Sequence, residues 1–119
     1  MTLPRNAERL TIYLEQTERH GRIPEFVEIV GRARRLGLAG ATVVPGVEGF
    51  GGSARVHRRR GLGVKADVPV VIMIVDTSDH IDRLLFEAGH LIWGSAVVRQ
   101  PVEVIVHRHG RTGPEVGDP

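Results

Sequence analysis

Residues 68–75 read Val-Pro-Val-Val-Ile-Met-Ile-Val, the longest apolar run in the chain. Most of these side chains are β-branched, a type that packs well on a pleated surface and poorly in a helix. The run is far shorter than the roughly 20 residues a membrane-spanning helix requires. A segment apolar on both faces must be a central strand, covered on one side and at least partly shielded on the other. The rest of the chain therefore has to supply flanking strands and a covering layer.

The remaining patterns supply both. Leu10, Ile12 and Leu14 alternate with Thr11, Tyr13 and Glu15, the period of a strand with one buried face. Residues 1–8 show no period and read as a flexible start, and residues 17–22 read as a loop. A helix follows with Pro24 in its first turn. Phe26, Val30, Ala33 and Leu36 form its apolar stripe, with Ile29 beside them, and Gly37 is the expected left-handed cap with Leu38 packed just past it. Residues 41–50 read as a second strand, which Pro45 and Gly46 confine to a sheet margin. Asp76, Thr77, Ser78 and Asp79 offer capping groups and negative charge for a second helix. Its apolar face is Ile81, Leu84, Leu85, Ala88, Leu91 and Ile92. Gly89 within it costs about 1 kcal/mol relative to alanine; a close approach of helix to sheet would account for it. A last strand covers 96–99 and 102–107, broken at Pro101, and residues 110–119 read as a disordered tail.

The order β-α-β-β-α-β is the ferredoxin-like α+β arrangement, an antiparallel sheet with two helices on one face. It occupies residues 9–109 as one domain, in keeping with a 119-residue chain. Two helices leave one sheet face wet or buried against another subunit. Apolar residues on both faces of the third strand predict an oligomer.

Composition narrows the chemistry. There is no cysteine, so disulfides and thiolate catalysis are excluded, and a reducing compartment fits. With Arg5, Glu8 and Arg9 near the start and no apolar leader, the expected location is cytoplasmic. Every basic residue but Lys65 is arginine, which keeps the pI near 9.9 although the formal charge is only +2. That charge is too small to argue nucleic-acid binding from the overall field.

The densest motif is Gly46-Val47-Glu48-Gly49-Phe50-Gly51-Gly52. Such glycine density permits positive φ and close approach of a ligand to backbone N–H groups. No Gly-Lys-Ser/Thr follows, so it is not a P-loop. Residues 52–66 read as a mobile loop carrying Arg55, His57, Arg58, Arg59, Arg60 and Lys65, suited to phosphates or an acidic protein surface. No aromatic interleaves with these cations, so base stacking has nothing to use and nucleic acid is a minor reading. His107 and His109 share a strand face, but zinc needs three or four ligands, and no metal site is expected. Asp76, Asp79 and Asp82 read as an answer to the helix dipole. No nucleophile or acid–base pair is recognisable, so an enzyme is not expected.

Taken together, Gly37-Leu38-Ala39-Gly40-Ala41-Thr42-Val43, Gly46-Val47-Glu48-Gly49-Phe50-Gly51, the His57 region and Pro69-Val70-Val71-Ile72 resemble a bacterial and archaeal PII-like family long catalogued as a domain of unknown function. The similarity spans residues 10–106. More distantly, Gly49-Phe50-Gly51 is similar to the Gly-Phe-Gly at the base of the T-loop in nitrogen regulatory PII proteins. The resemblance implies a homotrimer with its sheets facing inward and an adenine nucleotide (ATP, ADP or AMP) in clefts between subunits. It also implies a loop that docks on a partner such as a membrane channel or transporter. By position, Gly49, Phe50, Gly51 and Gly52 would lie at the cleft, and residues 52–66 would be the T-loop-like segment. Gly52, Ser53 and Ala54 stand where PII proteins carry glutamine and lysine, and Gly94-Ser95-Ala96-Val97 lacks the acid and lysine of their phosphate-binding turn. Arg55 or Arg99 would supply the missing charge. The alternative is a constitutive adaptor whose basic loop binds an acidic protein surface without a small ligand.

Overall fold

The computed structural model describes residues 2–15, 19–20, 23–50, 57–58, 69–92, 94–108 and 114–116. One antiparallel sheet is built from β1 (Asn6–Leu14), β2 (Thr42–Pro45), β3 (Val70–Asp76) and β4 (Ala96–Glu103). Their spatial order is β2-β3-β1-β4, and α1 (Glu25–Arg35) and α2 (Ser78–Ala88) pack against one face. This is the expected ferredoxin-like α+β topology.

The apolar run becomes the inner strand β3, and its two phases meet different surroundings. Val70, Ile72, Ile74 and Asp76 are buried, whereas Val71, Met73 and Val75 are half-buried. Across the ladder Ile74 faces Leu10, Ile72 faces Ile12 and Val70 faces Leu14, so the buried phases of both strands share the helix side. Ile29 and Ala33 of α1 and Ile81, Leu84 and Ala88 of α2 close the core over them. Each fully buried leucine, isoleucine or valine among them is worth roughly 1.5–3 kcal/mol.

Both helices end and begin as their chemistry dictates. Gly37 takes φ +83°, with its N–H donating to the Arg34 carbonyl and the Leu38 N–H to that of Ala33. Those two bonds are a Schellman motif, in which the left-handed residue lets orphan carbonyls be satisfied. Thr77 caps α2: its Oγ1 accepts from the His80 N–H at 3.3 Å.

Several boundaries differ from the sequence reading. The flexible start assigned to residues 1–8 is held from residue 2 onward: Leu3 is buried, the Val104 N–H donates to the Arg5 carbonyl, and β1 begins at Asn6. Arg19–His20 pairs with Ile23–Pro24 inside the stretch read as a loop, and Pro24 is the residue before α1 rather than part of its first turn. Ile29, not its neighbours, centres the α1 stripe. β4 runs unbroken through Pro101, because it is an edge strand and a missing ladder donor costs nothing on the solvent side. The chain breaks instead at Val104 and Ile105, before Val106–Arg108 pairs with Pro114–Val116 in the region expected to be a disordered tail. The rest of 110–119 lies outside the described residues. Gly89 sits at the end of α2 with open space where a Cβ would go, so helix–sheet proximity is not its reason.

Candidate functional site

The glycine-rich segment is shaped by one proline. The Gly46 N–H donates to the Pro69 carbonyl at 2.7 Å, and a Cβ on Gly46 would stand 2.8 Å from Pro69 Cγ. At Gly49 the same contact would be 3.2 Å. Glycine at both positions serves close chain approach; among the described glycines, positive φ belongs to Gly37 and Gly94. Beyond Gly46 the chain pairs briefly with itself, Glu48 opposite Arg58 and Gly49 opposite His57. This pairing brings the backbone of His57 beside Gly49 and that of Arg58 beside Glu48.

A cleft of about 310 Å³ opens here, lined by Tyr13, Glu15, Glu48, Gly49, Phe50 and Val71 among others. Phe50 is 74% exposed, an apolar ring in water at the cleft's lip. Tyr13 and Val71 pair across the sheet on the face without helices. Toward the other end of that face lies a cleft of about 520 Å³, lined by Leu3, Arg9, Gly40, Thr42, Met73 and His107 among others. The Leu3 N–H donates to His107 Nδ1 at 3.1 Å, tying the N-terminal stretch to its rim. Arg9 forms no ion pair among the described residues, so its charge is available to the cleft.

Arg99 goes elsewhere. It pairs with Leu10 in register and so lies on the helix side of β4. Its Nε donates to Glu8 Oε1 at 2.8 Å, Nη1 to Asp82 Oδ1 at 2.7 Å and Nη2 to the Ser78 carbonyl at 3.3 Å. Glu8 first, then Asp82, hold its proton more tightly than usual. The structure therefore does not bring Arg99 to Gly49 and Phe50: it fastens β4 to β1 and α2. Gly51, Gly52, Arg55, Arg59, Arg60 and Lys65 lie outside the described residues, as do the side chains of His57 and Arg58.

Asp76 also departs from its reading as helix-end charge. It is 0% exposed, and its carboxylate accepts from the Ala39 N–H at 2.7 Å, the Thr77 N–H at 2.8 Å and His80 Nδ1 at 2.6 Å. Asp82, past the first turn of α2 where Asp79 is the acid, serves Arg99. The sequence reading missed Arg9, Thr42 and Leu3 as cleft residues. Arg9 shares the phase of Thr11 and Tyr13, so strand alternation carried its placement; Leu3 precedes any period and left no signal. Among the described residues no group of three metal-ligating side chains forms, and no helix is long and apolar enough to cross a membrane.

A four-stranded antiparallel sheet covered by two helices on one face, with clefts at both ends of the other, is a ferredoxin-like α+β fold. Residues 7–104 match the DUF190 family (Uncharacterized ACR), and the chain belongs to that family. It is 30% identical over 78 residues to a UPF0166 protein of Aquifex aeolicus (strain VF5), covering 66% of this chain and 74% of that one. Among solved structures it is similar to CPII, a nitrogen regulatory PII-like protein from Thiomonas intermedia K12, bound to ADP, AMP and bicarbonate. That likeness has a TM-score of 0.57 at 20% identity, covering 83% of this chain and 88% of CPII. The form of CPII bound to ADP and bicarbonate gives 0.59 at 21% identity over the same shares. At these identities the likeness is one of fold, and it agrees with the expected PII-like resemblance.

Proposed function

We propose that this protein is a cytoplasmic, non-enzymatic PII-like regulator, assembled as a homotrimer through the sheet face that carries no helices. A small anionic ligand, an adenine nucleotide, binds in clefts completed by the neighbouring subunit. Binding shifts the order of residues 52–66, whose basic side chains then dock on an acidic partner such as a membrane channel or transporter. A ligand acts in this way only if it binds one loop state more tightly than the other.

The observation that carries this reading is the apolar open face itself, bordered by a cleft at each end. Tyr13, Val44 and Val98 are 50%, 41% and 44% exposed on it, next to half-buried Val71 and Met73. A second copy seated there would bury them and close both clefts from outside. Arg9, without an ion pair among the described residues, offers the phosphate group a cation in the larger cleft. CPII, which shares the fold, has been solved with ADP and AMP.

Calorimetric titration with ATP, ADP and AMP, alongside sedimentation of the same sample, tests the reading. Micromolar binding to a trimer, weakened about ten-fold by Arg9→Ala, is the expected result; a charge-assisted contact is worth about 1.5–3 kcal/mol. A folded trimer that takes up no nucleotide overturns it. The second reading is the adaptor, in which Arg58, Arg59 and Arg60 meet an acidic protein surface without a small ligand. If the adaptor reading holds, charge reversal at Arg58, Arg59 and Arg60 abolishes partner binding whether or not nucleotide is present.

A further inference from the structure

We infer that Asp76, assisted by His80, is the positioning residue that sets the wall of the larger cleft. That wall is the connection from α1 to β2. Ala39, Gly40 and Ala41 line the 520 Å³ cleft on one side and, on the other, a pocket of about 240 Å³ with Val30, Ala33 and Arg34. The connection is thus a partition between two cavities, resting on the core at its ends through Leu38 and Ala41. A Cβ built on Gly40 would meet no atom within 4 Å, so packing does not fix the chain at that point.

Tethers hold it instead. At one end the Schellman bonds of Gly37 and Leu38 fasten it to α1, and at the other Thr42 enters the ladder opposite Met73. Between these, the Ala39 N–H donates to Asp76 Oδ2 at 2.7 Å. Asp76 is well suited to hold a loop in place. Its side chain is fully buried at the end of β3, and its other oxygen is fixed by the Thr77 N–H and His80 Nδ1. A buried carboxylate with three donors is rotationally locked, so the 39–41 backbone inherits the position of the sheet end. His80, in the first turn of α2, is itself oriented by this contact, and its own backbone N–H is taken by the Thr77 cap. The cleft wall, the end of the inner strand and the start of α2 therefore meet on one carboxylate. The geometry stands by itself; that the cleft receives a nucleotide rests on the proposed function.

The test uses the full chain, with ADP as the probe and amide hydrogen exchange as an independent readout. Asp76→Asn keeps the side-chain volume but turns its amide donors toward at least one existing donor. The expected result is ADP binding weakened about ten-fold and exchange at Ala39 accelerated about ten-fold, in a variant that remains folded and assembled. His80→Leu should act in the same direction more weakly, and His80→Asn, which restores a side-chain N–H near the Nδ1 position, should return affinity and exchange toward wild type. A purely structural contribution would lower the unfolding midpoint without this pattern of rescue. Unchanged ADP affinity and unchanged Ala39 exchange in folded Asp76→Asn overturn the inference. If Asp76→Asn does not fold, the His80 pair decides: identical affinity and exchange in His80→Leu and His80→Asn overturn it, and rescue by asparagine supports it. If the wild-type protein binds ATP or AMP but not ADP, that nucleotide replaces ADP as the probe; if it binds none of the three, the proposed function falls, and Ala39 exchange alone judges the positioning role: faster in Asp76→Asn supports it, unchanged overturns it.

Discussion

The two faces of the sheet share the same strands and lead different lives. On the helix side Leu10, Ile12, Ile72 and Ile74 are at most 1% exposed, sealed by Ile29, Ile81 and Leu84. On the opposite side Thr11 is buried while Tyr13, Val44 and Val98 stand open, and Arg9 lies among them. The first face is finished within one chain. The second has the apolar content of a core but only part of its cover. An unfinished apolar face next to two clefts is where a partner and a ligand can be joined. In the proposed assembly, completing the face and completing the binding site are one event.

That contrast can be broken most sharply within β3. Ile72→Ala, on the sealed side, should lower unfolding stability by about 2–5 kcal/mol, whereas Val71→Ala on the open side should cost the isolated subunit well under half as much. Urea unfolding of both variants measures the difference; equal losses would mean the open face is packed as tightly as the core. Next in size is the contact between the glycine segment and Pro69. Gly46→Ala pushes a methyl to 2.8 Å from a rigid ring and should cost about 1–3 kcal/mol, with Gly49→Ala, at 3.2 Å, costing less. Reversal of that order in thermal unfolding would remove the close-approach explanation.

Thr77→Ala removes the α2 cap and should cost about 1 kcal/mol, read from the same unfolding curves. The smallest effect belongs to the Arg99 network, whose side chain is 32% exposed. Glu8→Gln should cost at most about 1 kcal/mol. Because Glu8 and then Asp82 raise the Arg99 pKa, the contribution is undiminished from neutral pH up to the ordinary arginine value and fades on the alkaline side only as pH rises through the raised one. The gap between wild type and Glu8→Gln should therefore be the same at pH 7 and pH 10, and a gap that closes by pH 10 would contradict the assignment.

Much of this was legible in the residues. The apolar run, the alternation from Leu10 to Leu14, the helical spacings from Phe26 to Leu36 and from Ile81 to Ile92, and the segments 41–50 and 96–107 specify four strands, two helices and their order. Gly37 announces its own left-handed cap, because only a residue without Cβ takes that φ freely. The importance of the glycine segment was also legible, but the cause was misread, since the partner that demands glycine there, Pro69, is twenty residues away in sequence. Arg99 and Asp82 were invisible as a pair for the same reason. Asp82 reads as a helix-dipole partner and Arg99 as a charge for phosphate until the fold lays β4 beside β1 and under α2.

What the sequence determined alone is whatever local physics decides: the period of each element, its caps, and the presence of more apolar strand surface than two helices can cover. What only the tertiary structure decided is where charges and backbone groups meet across long loops. Asp76 shows the division most clearly. As one of three acids around a helix start it reads as a dipole partner, which local rules favour. Placed at the end of an inner strand, out of water, it must find donors, and the Ala39 N–H from a distant turn is one of them. Burial, a property of the whole fold, turned a helix-end charge into the tether of the cleft wall.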